Sequence, residues 1–210
     1  MTTRVIAIRH GETEWNVAAR IQGHGDSPLT ATGIAQAEAI AQRLAGEKFD
    51  RIIASDLPRA HETAKRIAAL SGHAIGIDAR LRERSFGAGE GLSYEEVDRL
   101  YPGAFSRVGE TDPDYRIPGG ESRRDFHQRV VAGVESVAKR HAGETIVLVT
   151  HGGVLSALYR HVHSIALEKA HAIAITNASF NSLVFDGSRW SVDTWNCTRH
   201  LPRVEPLVDT

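Results

Sequence analysis

Hydrophobic residues form three short apolar runs that are separated by helical patterns. The runs cover residues 5–8, 51–54 and 145–149. Continuous apolar runs of this length, rich in β-branched residues, are typical of strands buried on both faces. Between them, apolar positions recur at steps of three and four residues, as on one face of a helix. The predicted helices span 31–44, 58–70 and 122–141. Alternating strands and helices predict an α/β fold with a doubly wound, mostly parallel sheet and helices on both faces.

The region from about 84 to 121 interrupts this alternation. It is rich in glycine and proline and has one short helical pattern at 93–100. A loop-rich excursion of this length in a compact domain is usually a lid or a binding loop. Nearer the end, 181–186 and 190–195 predict a hairpin, and the last ten residues a loose tail. No repeat or linker divides the chain, so we expect a single domain over 1–210.

Charge and cysteine content narrow the function classes. The 210 residues carry 25 Lys and Arg against 26 Asp and Glu, a formal net charge of -1. This balance argues against recognition of nucleic acid or an anionic membrane surface. Cys197 is the single cysteine, which excludes an intrachain disulfide and a CxxC zinc site. No apolar run approaches the ~20 residues of a membrane span, and the first residues lack a signal-peptide layout. We expect a cytoplasmic protein; a homodimer through an exposed edge strand stays open.

Cationic and imidazole side chains follow all three predicted strands. They are Arg9, His10, Arg59 and His151. In a parallel sheet the carboxyl ends of the strands meet at one edge, where ligands bind. Like charges brought together need an anion between them, and guanidinium groups match phosphate oxygens. Backbone N–H groups at the helix starts near Gly11 and Gly152 add donors. The sequence therefore predicts a phosphate site.

A phosphate site with histidines also suggests chemistry. A neutral imidazole is a nucleophile toward phosphorus, and neighbouring cations should keep His10 unprotonated. The same cations would neutralise charge on the transferred group. A leaving alkoxide needs a proton, which a carboxylic acid can donate. Glu83 opens the excursion and is the best placed candidate, but spacing alone does not separate it from Glu12, Glu62 or Glu90.

Five ordered segments resemble the signature of a known family. They are RHGET at 9–13 with WN at 15–16, IQGHGDSPLT at 21–30, SDLPRA at 55–60, PGGES at 118–122 and VTHGG at 149–153. A Leu-x-Glu at 81–83 lies among them. In this order and spacing the chain resembles the histidine phosphatase superfamily, whose best-known members are phosphoglycerate mutases. The resemblance runs from residue 4 to about 185.

The resemblance implies a role for each matched residue. His10 would become phosphohistidine, while Arg9, Arg59 and His151 would hold the transferred group. Glu83 would be the proton donor and then the base for water. The residues implied around the phosphate or substrate are Asn16, Gln22, Gly23 and Gly152. The family needs neither a metal nor a nucleotide for this chemistry.

Simpler local interpretations exist for several of these residues. Asn16 can cap nearby backbone, residues 22–23 can form only a turn, and Gly152 can be a tight-turn glycine. Arg59 can form an ion pair with Glu62 or Glu38, which is worth little when exposed.

Departures from the family pattern favour one reaction. Cofactor-dependent mutases carry a larger insertion after the acid, with basic residues for the substrate carboxylate and second phosphate. Here 87–121 contributes Arg99, Arg107 and Arg116 but no lysine, and Phe86 replaces the family tyrosine. A mutase must exclude water, so a shorter and less basic cover favours hydrolysis. We expect a phosphomonoester hydrolase acting on a small phosphorylated metabolite. The alternatives are a phosphoglycerate mutase using 2,3-bisphosphoglycerate and, more remotely, an inactive phospho-ligand binding protein.

Overall fold

A six-stranded sheet in the order β3-β2-β4-β1-β5-β6 organises the protein. The computed structural model describes residues 1–104, 112–169 and 172–202, so Arg107 and the tail from 203 onward lie outside the described residues. The strands are β1 (Thr3–Arg9), β2 (Arg51–Ala54), β3 (Ile75–Ile77), β4 (Thr145–Thr150), β5 (Phe180–Phe185) and β6 (Trp190–Cys197). The helices are α1 (Glu14–Val17), α2 (Ala31–Ala45), α3 (Pro58–Ser71), α4 (Tyr94–Leu100), α5 (Arg123–Arg140) and α6 (Gly152–Val162). Short 3₁₀ turns lie at Ala79–Leu81 and Gly87–Gly89.

Alternate residues of the central strands build two separate cores. In β1, Val5 and Ala7 face one core, while Ile6 and Ile8 face the other. Helices α2 and α3 cover the side of Ile6, and α5 and α6 cover the side of Val5. Because successive side chains of a strand point to opposite faces, a strand buried on both faces must be apolar throughout. The predicted α/β fold is confirmed, with helices on both faces of the sheet.

The helix ends follow local capping signals. Thr30 accepts a hydrogen bond from the Gly33 N–H at the start of α2, and Ser122 forms a capping box with Asp125 before α5. Pro58 occupies the first turn of α3. Such residues satisfy, or do not need, the unpaired donors of a first helical turn. The predicted helices therefore agree with α2, α3 and α5 within one or two residues. Within the described ranges, no helix is long and apolar enough to span a membrane.

The sheet is mixed because of its carboxyl-terminal hairpin. Strands β3, β2, β4 and β1 are parallel, whereas β5 pairs antiparallel with β1 and β6 antiparallel with β5. The hairpin was predicted, but its place beside β1 was not. The three-residue edge strand β3 was also missed, because it is too short to show a pattern.

The excursion folds back on itself. Its ends meet where Glu121 N–H bonds Ser85 O at 2.9 Å. Gly87 has a φ of +51°, and a Cβ there would lie 2.2 Å from Pro118 O, so only glycine fits this approach. Its apolar residues form a small third core together with Ile21, which precedes the excursion in sequence. That core contains Ile21, Val97, Ala104 and Ile117.

Candidate active site

The sequence-predicted residues converge at the carboxyl ends of β1, β4 and β2, which are neighbours in the sheet. They surround a pocket of about 420 Å³. The predicted residues that line it are Arg9, His10, Asn16, Gln22, Gly23, Arg59, Glu83 and Gly152. His151 is fully buried beside His10, with 5.3 Å between the ring centroids.

His10 is held as a neutral ring with one bare nitrogen. Its Nδ1 lies 2.7 Å from the carbonyl oxygen of Gly11. A carbonyl only accepts, so Nδ1 must donate, and in the neutral ring Nε2 then carries the lone pair. Burial, followed by the charges of Arg59 and Arg9, lowers the pKa of His10 well below its usual value. His10 therefore presents an unprotonated nucleophile near neutral pH.

In His151 the nitrogen with a hydrogen-bond partner is Nε2 and not Nδ1. Its Nε2 lies 2.8 Å from Ser55 Oγ, which already accepts the Leu57 N–H at 3.3 Å. The Ser55 hydroxyl can donate to Nε2, and with the hydroxyl as the donor the hydrogen of the neutral ring lies on Nδ1. Burial, then Arg59, lowers the pKa of His151 well below its usual value. Among the described residues Nδ1 is buried without a partner, as a donor that awaits an anion would be.

The buried Arg59 and the half-buried Arg9 complete this end of the pocket. Arg59 donates to the carbonyl oxygens of Gly23 at 2.7 Å and Gly25 at 2.9 Å, and Arg9 donates to Ile175 O at 2.6 Å. Burial lowers the pKa of both groups. Within the described part of the chain neither arginine forms an ion pair, so their charges remain available to a bound anion.

The ion-pair interpretation of Arg59 is wrong. Glu62 lies 3.1 Å from Lys65 Nζ, and Glu38 lies 3.4 Å from Arg66 Nη1. Both carboxylates therefore pair with Lys65 or Arg66 on the exposed side of α3. Arg59 is turned inward and is only 2% exposed.

Glu83 is seated by backbone donors at the pocket wall. Its carboxylate accepts the N–H of Gly153 at 2.8 Å and the N–H of Arg84 at 2.8 Å. A Cβ on Gly153 would lie only 2.0 Å from Oε1, so the seat requires glycine. Of the four carboxylates that spacing left open, Glu83 alone lines the pocket. The other three are Glu12, Glu62 and Glu90.

Asn16 caps the backbone and also lines the pocket. Its Oδ1 accepts the Thr13 N–H at 3.1 Å and the Asn177 amide at 3.2 Å. The carbonyl end is therefore committed to local structure, and the amide NH₂ is the end that can serve a ligand.

Residues 22–23 form a turn and also line the pocket. Gly23 has a φ of +54°, and a Cβ there would lie 2.3 Å from Glu90 Oε1. Gln22 Oε1 is buried and has no hydrogen-bond partner among the described residues.

Gly152 begins α6 beside Arg9, and a Cβ added to this glycine would lie 3.4 Å from Arg9 Nε. Its N–H belongs to the first helical turn, where donors are free for an anion.

Sequence reasoning missed several residues of the site. Arg84, Arg123 and Arg160 line the pocket but come from three distant segments, so no local pattern joins them. Ser55 and Gly153 lie inside motifs that the sequence does show, yet their contacts with His151 and Glu83 appear only in three dimensions. Over the described residues, no cluster of three or more His, Cys, Asp or Glu is arranged to hold a metal ion.

Known proteins are similar to this chain in sequence and in fold. The sequence model of the histidine phosphatase superfamily (branch 1) matches residues 5–198. Phosphoglycerate mutase-like protein 4 of Arabidopsis thaliana is 39% identical over 94% of this chain and 86% of its own length. Metal-independent phosphoserine phosphatase of the same plant is 38% identical over 96% of this chain and 84% of its own length.

A solved structure is also similar to this chain, in both sequence and fold. Mycobacterial glucosyl-3-phosphoglycerate phosphatase, in its complex with VO3, superimposes with a TM-score of 0.80 at 34% identity, covering 93% of this chain and 99% of that one. Residues 5–198, which the family's sequence model matches, include every residue assigned above to the pocket. The chain belongs to the histidine phosphatase superfamily.

Proposed function

We propose that this protein hydrolyses a small phosphomonoester through a phosphohistidine at His10. The observation that carries the proposal is the neutral ring of His10, whose Nδ1 is bonded to Gly11 O and whose Nε2 is therefore bare. Around it lie Arg9 and Arg59, which form no ion pair within the described residues and can stabilise the charge of a phosphoryl group during in-line transfer.

In the first step Nε2 of His10 attacks phosphorus and the ester P–O bond breaks. Arg9, Arg59 and the His151 Nδ1–H stabilise the charge on the non-bridging oxygens. The leaving oxygen takes a proton from the Glu83 carboxyl group and departs as an alcohol.

In the second step water attacks the phosphohistidine. The Glu83 carboxylate takes the proton from water, the P–N bond breaks and inorganic phosphate leaves. His10 and Glu83 then have their starting protonation states, and each step of this scheme is carried by residues of the chain without a metal or other cofactor. The relative named as metal-independent supports this scheme.

Brief exposure to ³²P-labelled substrate, followed by denaturation, tests the mechanism. We expect acid-labile, base-stable label on His10, and neither label nor turnover in His10→Ala. His161→Ala is the matched control, because that imidazole lies 3.6 Å from the Glu135 carboxylate and does not line the pocket. Label on serine, or turnover in His10→Ala, would overturn the proposal.

A mutase remains the competing activity, because one relative is named phosphoglycerate mutase-like. A mutase returns the phosphoryl group to the substrate, whereas a hydrolase passes it to water. Incubation with 3-phosphoglycerate and 2,3-bisphosphoglycerate separates the two. We expect inorganic phosphate; isomerised product without phosphate release would identify a mutase.

A further inference from the structure

The imidazole of His24 joins the proton donor to the loop of residues 22–25. Its Nε2 lies 2.9 Å from the main-chain carbonyl oxygen of Glu83. A carbonyl oxygen only accepts, so Nε2 must donate its hydrogen. His24 itself does not line the pocket. It therefore contacts the backbone of the proton donor without being placed to contact a substrate.

Arg59 fixes the main chain on both sides of His24. Its guanidinium group donates to Gly23 O at 2.7 Å and to Gly25 O at 2.9 Å. Its Nε is buried and has no partner among the described residues. The guanidinium group that would hold the transferred phosphoryl group thus also anchors the 22–25 loop. A chain of hydrogen bonds runs from Arg59 through this loop and the His24 ring to Glu83.

The carboxylate of Glu90 holds the same loop against the residues that follow the proton donor. Its Oε1 accepts the N–H of His24 at 2.9 Å and the N–H of Phe86 at 3.0 Å. Gly23 packs closely on this carboxylate, since a Cβ there would lie 2.3 Å from Oε1. His24 is therefore bound at its main chain as well as at its ring, which limits the movement of the ring away from Glu83 O.

The main-chain oxygen of Glu83 accepts from two side chains that belong to different parts of the fold. Arg129 Nη2 donates to it at 3.1 Å and comes from α5. His24 comes from the 22–25 loop, which Arg59 anchors. Of the two bonds, the one from His24 is the bond that relates the position of the proton donor to the position of the phosphate-binding arginine.

We propose that His24 is a positioning residue, which holds Glu83 at a fixed distance from the phosphoryl group bound by Arg59. Proton transfer to the leaving oxygen requires the donor to lie within hydrogen-bond reach, and a small misplacement of a catalytic group lowers the rate steeply. This inference rests on the proposed hydrolase activity and adds a residue to its machinery.

Two amide substitutions at His24 test the contact. The side-chain nitrogen of glutamine reaches nearly as far as the imidazole Nε2, whereas asparagine is one methylene shorter and does not reach Glu83 O. The assay is kcat/KM for phenyl phosphate and 4-nitrophenyl phosphate, which are similar in size, although phenolate depends more on protonation as it leaves. His24→Asn should lose about 10-fold on phenyl phosphate, the upper worth of one hydrogen bond, and less than about 2-fold on 4-nitrophenyl phosphate. His24→Gln should keep both values near those of the parent.

A purely structural role of His24 predicts a different pattern. Loosening of the 22–25 loop would weaken phosphate binding and would lower the turnover of both esters alike. The Glu83→Gln background separates the two roles further, because residues that act through one group are not additive. There His24→Asn should cause no further loss on phenyl phosphate. His61→Asn is the matched control, since His61 lies on α3 and does not line the pocket, and it should leave both values unchanged.

The outcomes distinguish this inference from the function on which it depends. Equal losses on both esters in His24→Asn, no loss on either ester, or a further loss in the Glu83→Gln background overturns the positioning role alone. His24→Ser, which also lacks the reach, gives the same test if His24→Asn fails to fold. A parent protein that is inactive on both esters overturns the proposed function.

Discussion

Glu83 rests against the backbone of Gly153, and replacing that glycine by alanine should displace the proton donor while the fold is kept. Gly153 lies in the first turn of α6 and has helical backbone. Alanine is favoured over glycine in helices by up to about 1 kcal/mol. Any loss of activity in Gly153→Ala is therefore expected without a loss of thermal stability.

The size of the effect follows from the contact distance. The new Cβ would lie 2.0 Å from Glu83 Oε1, whereas ordinary contacts begin at 3.4 Å. The carboxylate must therefore move by more than an ångström. A misplacement of about 1 Å in a catalytic group can cost roughly 100-fold in rate, and complete loss of a general acid costs about 10²–10⁴-fold. We expect Gly153→Ala to lose about 100-fold, and Glu83→Gln at least as much.

The assay compares two leaving groups by kcat/KM, which covers the steps up to release of the alcohol. An alkyl phosphate such as glycerol 3-phosphate needs the proton and should show the full loss. 4-Nitrophenyl phosphate releases a stabilised anion and should lose less than about 10-fold. Gly46→Ala is the control, because its nearest contact is Arg43 O at 3.6 Å. Equal losses on both esters, or no loss at all, would refute the role of Glu83 as proton donor.

Three further predictions concern buried contacts. His10 and His151 stay neutral in the fold but bind protons near pH 6.5 when unfolded, so the unfolded state takes up more protons as pH falls. The free energy of unfolding should then decrease below pH 6.5 by about 1.4 kcal/mol per pH unit for each histidine; urea titrations from pH 7 to 5 measure this, and His10→Asn should show a smaller slope. Gly33→Ala would place a Cβ 1.9 Å from Glu12 O and should lower the free energy of unfolding by roughly 1–3 kcal/mol, as denaturant titration beside Gly46→Ala would show. Ser55→Ala should abolish the preference of His151 for the Nδ1–H form, and unchanged long-range ¹H–¹⁵N shifts of that ring would contradict the assigned hydrogen.

Local sequence determined the strands, the helices and the meeting of His10 and His151 at one edge of the sheet. Apolar runs such as 145–149 define strands because a strand covered on both faces must be apolar along its length. Capping residues such as Thr30 and Ser122 define helix starts because they satisfy donors within a few residues. Once those strands are taken as parallel, His10 and His151 must meet at their carboxyl ends. All of this depends on contacts close in sequence or on general rules of sheet topology.

Only the tertiary structure decided which groups act on one another. Glu83 is distinguished from other carboxylates by the N–H of Gly153, which is 70 positions away. The hydrogen on His151 is assigned through Ser55, 96 positions away. Arg84 and Arg160 share a pocket although no motif connects them. Such pairings depend on how helices and loops pack across the sheet edge, and a one-dimensional pattern carries no record of contacts that packing alone creates.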